Sequence, residues 1–297
     1  MARAMSGKLE FLARSALRWP MSTRHRCLNC GGRGPVVARK YLVAALRRCD
    51  TCRLLYRTPT DPPEASERFY QSDYAEGATT DCPDPALLPA MQADGFSGQQ
   101  NDYRRFAEWL ASLGVPAGGR VLDFGSSWGY GSWILRAAGF AVASYELSRP
   151  RAQYGRRHLA IDSIDDFEAF LDSEEASFDA FFSSHVLEHV PAPGAVVAQA
   201  MRLLKPGGLF LAVMPNGSDR YRRADPVAWA RLWGKVHPNF LDEVYCSAAF
   251  APRPLLVGSP PFAFGEEDRE HLRSGTGMRR CGNAAATGEL MVAVRKG

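Results

Sequence analysis

The chain has 297 residues, of which 46% are apolar and 23% charged, and its formal net charge is +4. These proportions are typical of a globular protein and exclude an intrinsically disordered chain. No window approaches about 18 consecutive apolar residues, so we expect no transmembrane helix. The basic N-terminus lacks the apolar stretch and cleavage site of a secretory signal, and we therefore predict a cytoplasmic protein.

Positive charge is concentrated at the start of the chain. Residues 1–60 contain 13 Lys or Arg and two acidic residues, a net charge of +11, whereas the remaining residues have a net charge of −7. The first part of this basic region is an N-terminal segment, residues 1–20. Such a region attracts anionic partners such as nucleic acid, a phosphorylated metabolite or a membrane surface. Alternatively, the basic segment docks on the acidic part of its own chain.

Four of the seven cysteines form two Cys-x-x-Cys pairs, Cys27/Cys30 and Cys49/Cys52, with 18 residues between them. Each pair can direct two thiolates at one ion, and this spacing is typical of a tetrahedral zinc site. Two disulfides are the alternative, but they require an oxidising compartment. We predict a structural Zn²⁺ ribbon over residues 21–60, in which the metal holds a short segment folded.

The rest of the chain divides into a linker with a helical segment, 61–117, and an α/β region, 118–297. In the first part we expect a short helix that ends near Tyr70, irregular structure over 78–97, and a helix that begins at Tyr103 and ends before Gly114. From Arg120 onward, strands alternate with helices, which is typical of a parallel sheet. The predicted strands are Arg120–Phe124, Ala141–Glu146, Ala160–Ile164, Ala180–Ser184, Leu209–Pro215, Leu255–Gly258 and Glu289–Arg295. The glycine-rich stretch 265–288 cannot be assigned.

A glycine-rich loop follows the first of these strands, where an open α/β sheet binds its cofactor. Gly125 and Gly129 allow the backbone to approach a ligand closely. The dinucleotide-binding pattern also requires glycine at positions 127 and 130, which are Ser127 and Tyr130, so a pyrophosphate site is poorly supported. Glu146 ends the next strand and can accept hydrogen bonds from ribose hydroxyls, although it could also be a solvated charge. These features predict an adenosine-type cofactor with little or no phosphate.

The stretch SSHVLEHV, residues 183–190, also matches the His-x-x-Glu-His pattern of zinc peptidases. That site requires a helix that carries both histidines, and Pro191 and Pro193 interrupt a helix at this point. The apolar and aromatic residues before it suit a buried strand. We therefore interpret the stretch as the end of the fourth strand, beside the cofactor site.

Four motifs occur in order along the chain: VLDFGSSWGYGS, YELS, FDAFFSSHVLEHV and RLLKPGGLFLAVMPN. Over residues 118–297 the chain thereby resembles the class I S-adenosylmethionine-dependent methyltransferases, in the branch whose motif after the fourth strand reads VLEHV. The resemblance implies an α/β, Rossmann-like, mostly parallel seven-stranded sheet in which strand 7 is antiparallel. Some members of this branch carry an N-terminal zinc segment and an aromatic element, to which Cys27–Cys52 and Phe69–Tyr74 are similar.

The resemblance also implies which residues bind S-adenosyl-L-methionine. Asp123, Gly125 and Gly129 would cradle the amino-acid part of the cofactor. Glu146 would hold the ribose. Leu147 would pack on the adenine, and Asp165 would form a hydrogen bond with the adenine amine. Ser127 departs from the usual middle glycine, and its hydroxyl would donate to the cofactor carboxylate or mark a wider turn.

Ser184 and His185 would lie beside the transferring methyl group. If the acceptor is a hydroxyl or an acidic carbon, a general base assists the transfer. His185, His189 and His237 are the candidates, and the alternative for each is a hydrogen-bonded structural histidine.

The predicted function is methyl transfer from S-adenosyl-L-methionine to a small molecule, such as a sugar or another biosynthetic intermediate. One alternative is an RNA methyltransferase that uses the basic N-terminal module, whose RNA affinity would fall steeply with salt. The other is a non-catalytic binding protein with the same fold, which Ser127 favours.

Overall fold

Two β-sheets organise the residues that this computed structural model describes, namely 2–62, 81–97, 99, 102–282 and 287–297. The strands in chain order are β1 Val36–Lys40, β2 Ala44–Arg48, β3 Leu55–Thr58, β4 Arg120–Phe124, β5 Ala141–Tyr145, β6 Asp162–Ile164, β7 Phe178–Ser184, β8 Leu204–Pro215, β9 Asn239–Phe240, β10 Leu255–Gly258, β11 Met278–Cys281 and β12 Glu289–Arg295.

The α-helices in the same ranges are α1 Ala2–Arg18, α2 Leu88–Ala93, α3 Tyr103–Ser112, α4 Tyr130–Ala137, α5 Arg149–Tyr154, α6 Phe167–Leu171, α7 Pro193–Leu203, α8 Asp219–Ala224, α9 Pro226–Arg231, α10 Glu243–Phe250 and α11 Glu266–Ser274. Short 3₁₀ turns lie at Ser22–His25 and Pro85–Leu87, and a π-helical turn at Gly155–Leu159 continues α5. None of the helices described is both long and apolar enough to cross a membrane.

The larger sheet has the order β11-β10-β12-β8-β7-β4-β5-β6 among the described strands. Strands β4 to β8 run parallel, and β12 is antiparallel to both of its neighbours, β8 and β10. The predicted seven-stranded α/β sheet with antiparallel strand 7 is confirmed. The eighth strand, β11, pairs in parallel with β10 and comes from the stretch that the sequence left unassigned.

Helices cover both faces of this sheet, because its central strands are apolar on both sides. Successive residues of a strand point to opposite faces. Phe181 accordingly stacks on Phe210 in one core cluster, with ring centroids 5.3 Å apart. Phe182 contacts Phe106 of α3 in the other cluster, with centroids 5.0 Å apart.

The smaller sheet is antiparallel, in the order β1-β2-β3-β9. Strands β1 to β3 belong to the segment 27–58, which we call the cysteine ribbon. Its fourth strand, β9, comes from far along the chain and pairs Leu55 with Phe240 and Tyr56 with Asn239. The ribbon is therefore continuous in structure with the α/β region.

Several basic side chains of residues 1–60 are used inside the molecule. Arg48 forms a bidentate pair with the buried Asp242, and Arg18 and Arg57 both pair with Asp61. Lys40 donates to the carbonyl oxygens of two residues near α9. These contacts support the interpretation in which the basic segment docks on its own chain.

The structure describes residues 61–62, 81–97, 99 and 102–117 of the segment 61–117. Residues 78–97 are not wholly irregular, because Asp84 caps the turn Pro85–Leu87 and the buried Leu88 anchors α2. The helix predicted to end near Tyr70, and the aromatic element Phe69–Tyr74, lie outside the described residues. The helix from Tyr103 is confirmed as α3.

We expect Asp242→Ala to lower the free energy of unfolding by about 3–5 kcal/mol, because it leaves the Arg48 guanidinium in a largely buried position without its carboxylate. The substitution also removes the cap that accepts a hydrogen bond from the Tyr245 amide. Urea unfolding measures the effect. Glu10→Ala, in an exposed pair with Arg14, is the control and should barely move the midpoint. Equal midpoints for the two variants would contradict this role.

Candidate active site and cysteine cluster

The glycine loop lies at the carboxyl edge of the large sheet, between β4 and α4, as predicted. Gly125 has a φ of +87°, and a Cβ atom at this position would lie 2.2 Å from Cγ2 of Val186. Only glycine therefore allows the loop to pack on the turn that follows β7. Ser127 also adopts a positive φ, of 52°, although it is not glycine.

Glu146 is buried at the end of β5, with 6% of its surface exposed. One carboxylate oxygen accepts the amide of Ser127 at 2.8 Å, and the other accepts the amide of Ser148 at 2.7 Å. Burial raises the pKa of Glu146, while these two amides oppose the rise. The alternative of a solvated charge is wrong, because the carboxylate lies under the glycine loop.

Asp123 is fully buried at the end of β4. Burial raises its pKa to about 7, although the Ser132 hydroxyl donates to its Oδ2 at 2.6 Å. Its Oδ1 has no hydrogen-bond partner among the described residues, and neither have the hydroxyls of Ser183 and Ser184 on the adjacent strand β7. In the strand register Ser184 shares the sheet face of Asp123, whereas Ser183 points to the other face. Since buried polar atoms are normally satisfied, Asp123 and Ser184 are together suited to a polar ligand.

The remaining predicted cofactor residues lie around this pair of carboxylates. Leu147 is half-buried and packs against the core on one face of the sheet. Asp165 follows β6 and pairs with Arg156 at 2.5 Å. A residue that the sequence did not indicate, Arg151, is buried beside the loop and donates to the Ser127 hydroxyl at 3.0 Å.

His185 directly follows β7, in a bend rather than a helix, so the zinc-peptidase interpretation stays excluded. Its Nε2 lies 2.9 Å from Oε1 of Glu289, and Arg105 holds the same carboxylate through contacts of 2.9 and 3.0 Å. Glu188 lies on the other side, 3.8 Å from the His185 Nδ1. A carboxylate therefore orients the His185 imidazole, an arrangement also found in acid–base pairs of enzymes.

The charges of this group explain its pKa values. Burial lowers the pKa of His185, but the hydrogen bond to Glu289 and the charge of Glu188 raise it more, and the net shift is upward. Burial likewise opposes ionisation of Glu289, yet His185 and Arg105 hold its pKa down at about 2. Neither Glu289 nor Arg105 was predicted. The topology offered a signal for Glu289, because the first residue of an antiparallel strand lies at the carboxyl edge of its parallel neighbours.

The other two candidate bases, His189 and His237, contact each other. The rings of His189 and His237 make an edge-to-face contact, with centroids 4.7 Å apart. The Nδ1 atom of His189 lies 2.8 Å from the Val236 carbonyl, and that of His237 lies 2.6 Å from the Leu232 carbonyl. Burial lowers the pKa of His189.

The four cysteines of the ribbon converge as predicted. The sulfurs of Cys27 and Cys52 are 3.7 Å apart, those of Cys30 and Cys49 are 3.4 Å apart, and all four lie within 4.8 Å of one another. None is bonded to another sulfur. Around one zinc ion with bonds of about 2.3 Å, tetrahedral geometry separates sulfurs by about 3.8 Å. The cluster therefore has the dimensions of a zinc site.

Comparison with known proteins identifies the family of the chain. A family model described as a methyltransferase domain matches residues 98–250, just over half of the chain. The chain belongs to this family. With its sheet order and glycine loop, it is a class I S-adenosylmethionine-dependent methyltransferase domain.

Curated relatives match part of this methyltransferase domain. The ubiquinone biosynthesis O-methyltransferase of Xanthomonas axonopodis pv. citri is 33% identical over 117 residues, which are 36% of this chain and 48% of that protein. The enzyme of the same name from Nitrosococcus oceani is 31% identical over 159 residues, 43% of this chain and 67% of that protein. The chain thus spans about half the length of the first of these relatives.

A solved structure supports the fold over a larger part of the chain. Geranyl diphosphate C-methyltransferase from Streptomyces coelicolor A3(2) aligns with a TM-score of 0.50 at 14% identity, covering 80% of this chain and 100% of that one. At this identity the likeness concerns the fold alone.

We expect Glu289→Gln to lower the pKa of His185, because the substitution removes the charge that stabilises the imidazolium. In the wild type, this raised pKa stabilises the fold below the unfolded value of about 6.5, and the contribution is lost as pH rises through the folded pKa. The variant should lose that pH-dependent increment. NMR titration of His185 and thermal unfolding between pH 5 and 8 measure both effects, with Glu174→Gln as control. An unchanged His185 titration would contradict the pairing.

Proposed function

We propose that the protein transfers the methyl group of S-adenosyl-L-methionine to a hydroxyl oxygen of a small molecule. The observation that carries the proposal is the buried Glu146 carboxylate, which bridges the amides of Ser127 and Ser148 beneath the glycine loop. The names of the curated relatives support an oxygen acceptor and a biosynthetic small molecule. The name of those relatives favours a biosynthetic intermediate over a sugar.

The residues present fit this cofactor. Glu146 would exchange the Ser127 amide for ribose hydroxyls, which are the usual partners of a carboxylate at the end of this strand. The unsatisfied Oδ1 of Asp123 and the Ser184 hydroxyl would meet the polar amino-acid part of the cofactor. Leu147 and Asp165 would border the adenine. A bound sulfonium supplies an already activated methyl group.

His185 would then act on the acceptor. It lies directly after β7, next to Ser184, and Glu289 holds its imidazole through Nε2. As the acceptor oxygen attacks the methyl group, its proton would pass to His185, and Glu289 would stabilise the imidazolium that forms. Positioning of the acceptor in line with the reacting bond supplies much of the remaining rate.

We assign a structural Zn²⁺ to Cys27, Cys30, Cys49 and Cys52. Four thiolates fill the tetrahedral shell, so this ion would have no open position for catalysis. Gly32 passes so close to the sulfurs that a Cβ atom there would lie 2.9 Å from Sγ of Cys49. The ion would lock the ribbon and, through β3, the strand β9.

The two other candidate functions have less support. No described observation indicates an RNA acceptor, and the basic segment uses Arg18, Arg48 and Arg57 in internal ion pairs. A non-catalytic role rests on Ser127 alone, and with serine at this position the loop still reaches Glu146, whose carboxylate accepts the Ser127 amide.

Glu146→Ala should weaken S-adenosyl-L-methionine binding at least about 100-fold, because hydrogen bonds to a charged group contribute about 1.5–3 kcal/mol each and the ribose offers two. Glu146→Gln should give an intermediate loss. Calorimetric titration measures the affinity, and circular dichroism confirms the fold of each variant. Glu168→Ala, on the exposed face of α6, is the matched control. Wild-type affinity in Glu146→Ala would remove the cofactor assignment.

Cys30→Ser should abolish the retention of one zinc equivalent and lower the melting temperature, because three thiolates hold the ion less tightly and the ribbon depends on it. Metal analysis after gel filtration measures the stoichiometry. Cys82→Ser, an exposed cysteine outside the cluster, is the control and should keep full zinc. Full retention by Cys30→Ser would contradict the assignment.

A further inference from the structure

The carboxylate of Glu188 is the least satisfied charged group among the described residues near the active site. It is 1% exposed, and neither of its oxygens has a hydrogen-bond partner in the described ranges. An ionised carboxylate in such a place is strongly destabilising unless a cation compensates it. The methyl-transfer mechanism proposed above gives Glu188 no direct contact with cofactor or acceptor.

Two imidazoles lie next to this carboxylate. Oε1 of Glu188 is 3.7 Å from Nε2 of His189, and one ligand atom from each of Glu188, His189 and His237 lies within 4.8 Å of the others. A carbonyl oxygen can only accept a hydrogen bond. The carbonyls of Val236 and Leu232 therefore fix a proton on Nδ1 of His189 and His237 respectively.

This tautomer has a specific consequence. With Nδ1 protonated and anchored, a neutral imidazole presents its lone pair on Nε2, which is the atom that binds a metal. Histidine ligands of metals almost always donate their other N–H to a carbonyl or carboxylate in this way. The backbone of the loop 232–236 thus orients both rings as metal ligands are oriented.

We propose that Glu188, His189 and His237 bind a divalent first-row transition metal ion, at a second site distinct from the cysteine cluster. Two imidazole nitrogens and one carboxylate oxygen favour ions such as Zn²⁺, Fe²⁺, Co²⁺ or Mn²⁺ over Mg²⁺ and Ca²⁺, which prefer oxygen ligands alone. Bonds of about 2.0–2.2 Å require the ligand atoms to approach by less than about 1.5 Å, which small side-chain rotations supply. Three protein ligands leave coordination positions open.

The site differs from the zinc-peptidase pattern that the same stretch matches in sequence. That pattern uses both histidines of His-x-x-Glu-His on one helix, whereas here the chain forms a turn and His185 points to Glu289. In the proposed site His237, from the loop before β9, takes the ligand position that the first histidine of the pattern would have. The ion would join the turn after β7 to that loop, with Glu188 3.8 Å from Nδ1 of His185.

Cobalt titration of the full chain with its cysteine cluster already filled by zinc tests the proposal. We expect one further equivalent to bind, with weak visible bands and no sulfur-to-cobalt charge-transfer absorption, because nitrogen and oxygen are the ligands. His237→Asn and Glu188→Gln should each lower this affinity at least about 100-fold, since loss of an outer partner alone costs roughly 10–100-fold. His271→Asn, a histidine remote from the site, is the matched control and should bind normally.

Thermal unfolding gives a second measurement, which distinguishes loss of the metal site from loss of the fold. Without added metal, Glu188→Gln should melt at or above the wild-type temperature, because it replaces a buried carboxylate whose oxygens accept no hydrogen bond from the described residues. With cobalt or zinc added, only the wild type and His271→Asn should gain melting temperature, as binding to the folded state requires. No further equivalent in the wild type, or wild-type cobalt affinity in both His237→Asn and Glu188→Gln, would overturn the proposal.

Discussion

A two-strand pairing between the cysteine ribbon and the α/β region holds the active-site edge of this protein together. Strand β3 pairs with β9, and Asn239 of β9 is buried. Its backbone N–H donates to the Glu188 carbonyl and its side-chain amide donates to the Val190 carbonyl. The turn that carries His185 to Val190 is therefore positioned by a strand that the ribbon itself holds in place.

Compensation of buried charge explains most of the other unusual contacts at this edge. Glu146 is stabilised by two backbone amides, and Glu289 by Arg105 and His185. Glu188 accepts no hydrogen bond from the described residues, and its Oε1 faces imidazole nitrogens of His185 and His189 at 3.8 and 3.7 Å. Carboxylates satisfied by protein groups orient their neighbours, whereas those with unsatisfied oxygens mark places where a ligand is expected.

The sequence predicted the parts of the molecule that depend on local patterns. The strands β4, β10 and β12 begin and end at the predicted residues, and the Cys-x-x-Cys pairs converge because each pair is a local turn. Gly125 and Glu146 could be placed from the sequence because each directly follows a strand, and Asp123 because the resemblance locates it near the end of the first strand.

Other features depend on contacts between distant parts of the chain, so no local pattern indicated them. Arg105 and Glu289 are 184 residues apart, and β9 is two residues long, too short for any periodicity. Helix α11 buries only Asp268 and Leu272, so its sequence shows no apolar stripe. The burial of Glu146 could not be judged either, because the glycine loop that covers it follows a different strand, β4.

The position of β12 has a consequence for the order in which the sheet can form. Residues 289–295 lie between β8 and β10 rather than at an edge, and β10 and β11 reach the rest of the sheet only through them. On a ribosome, the strands β4 to β8 emerge and can pair well before this segment does. Until it arrives, β8 exposes an unpaired edge, and such edges are sites of aggregation. Nascent chains should therefore depend on chaperones most strongly in the interval between synthesis of β8 and release of β12.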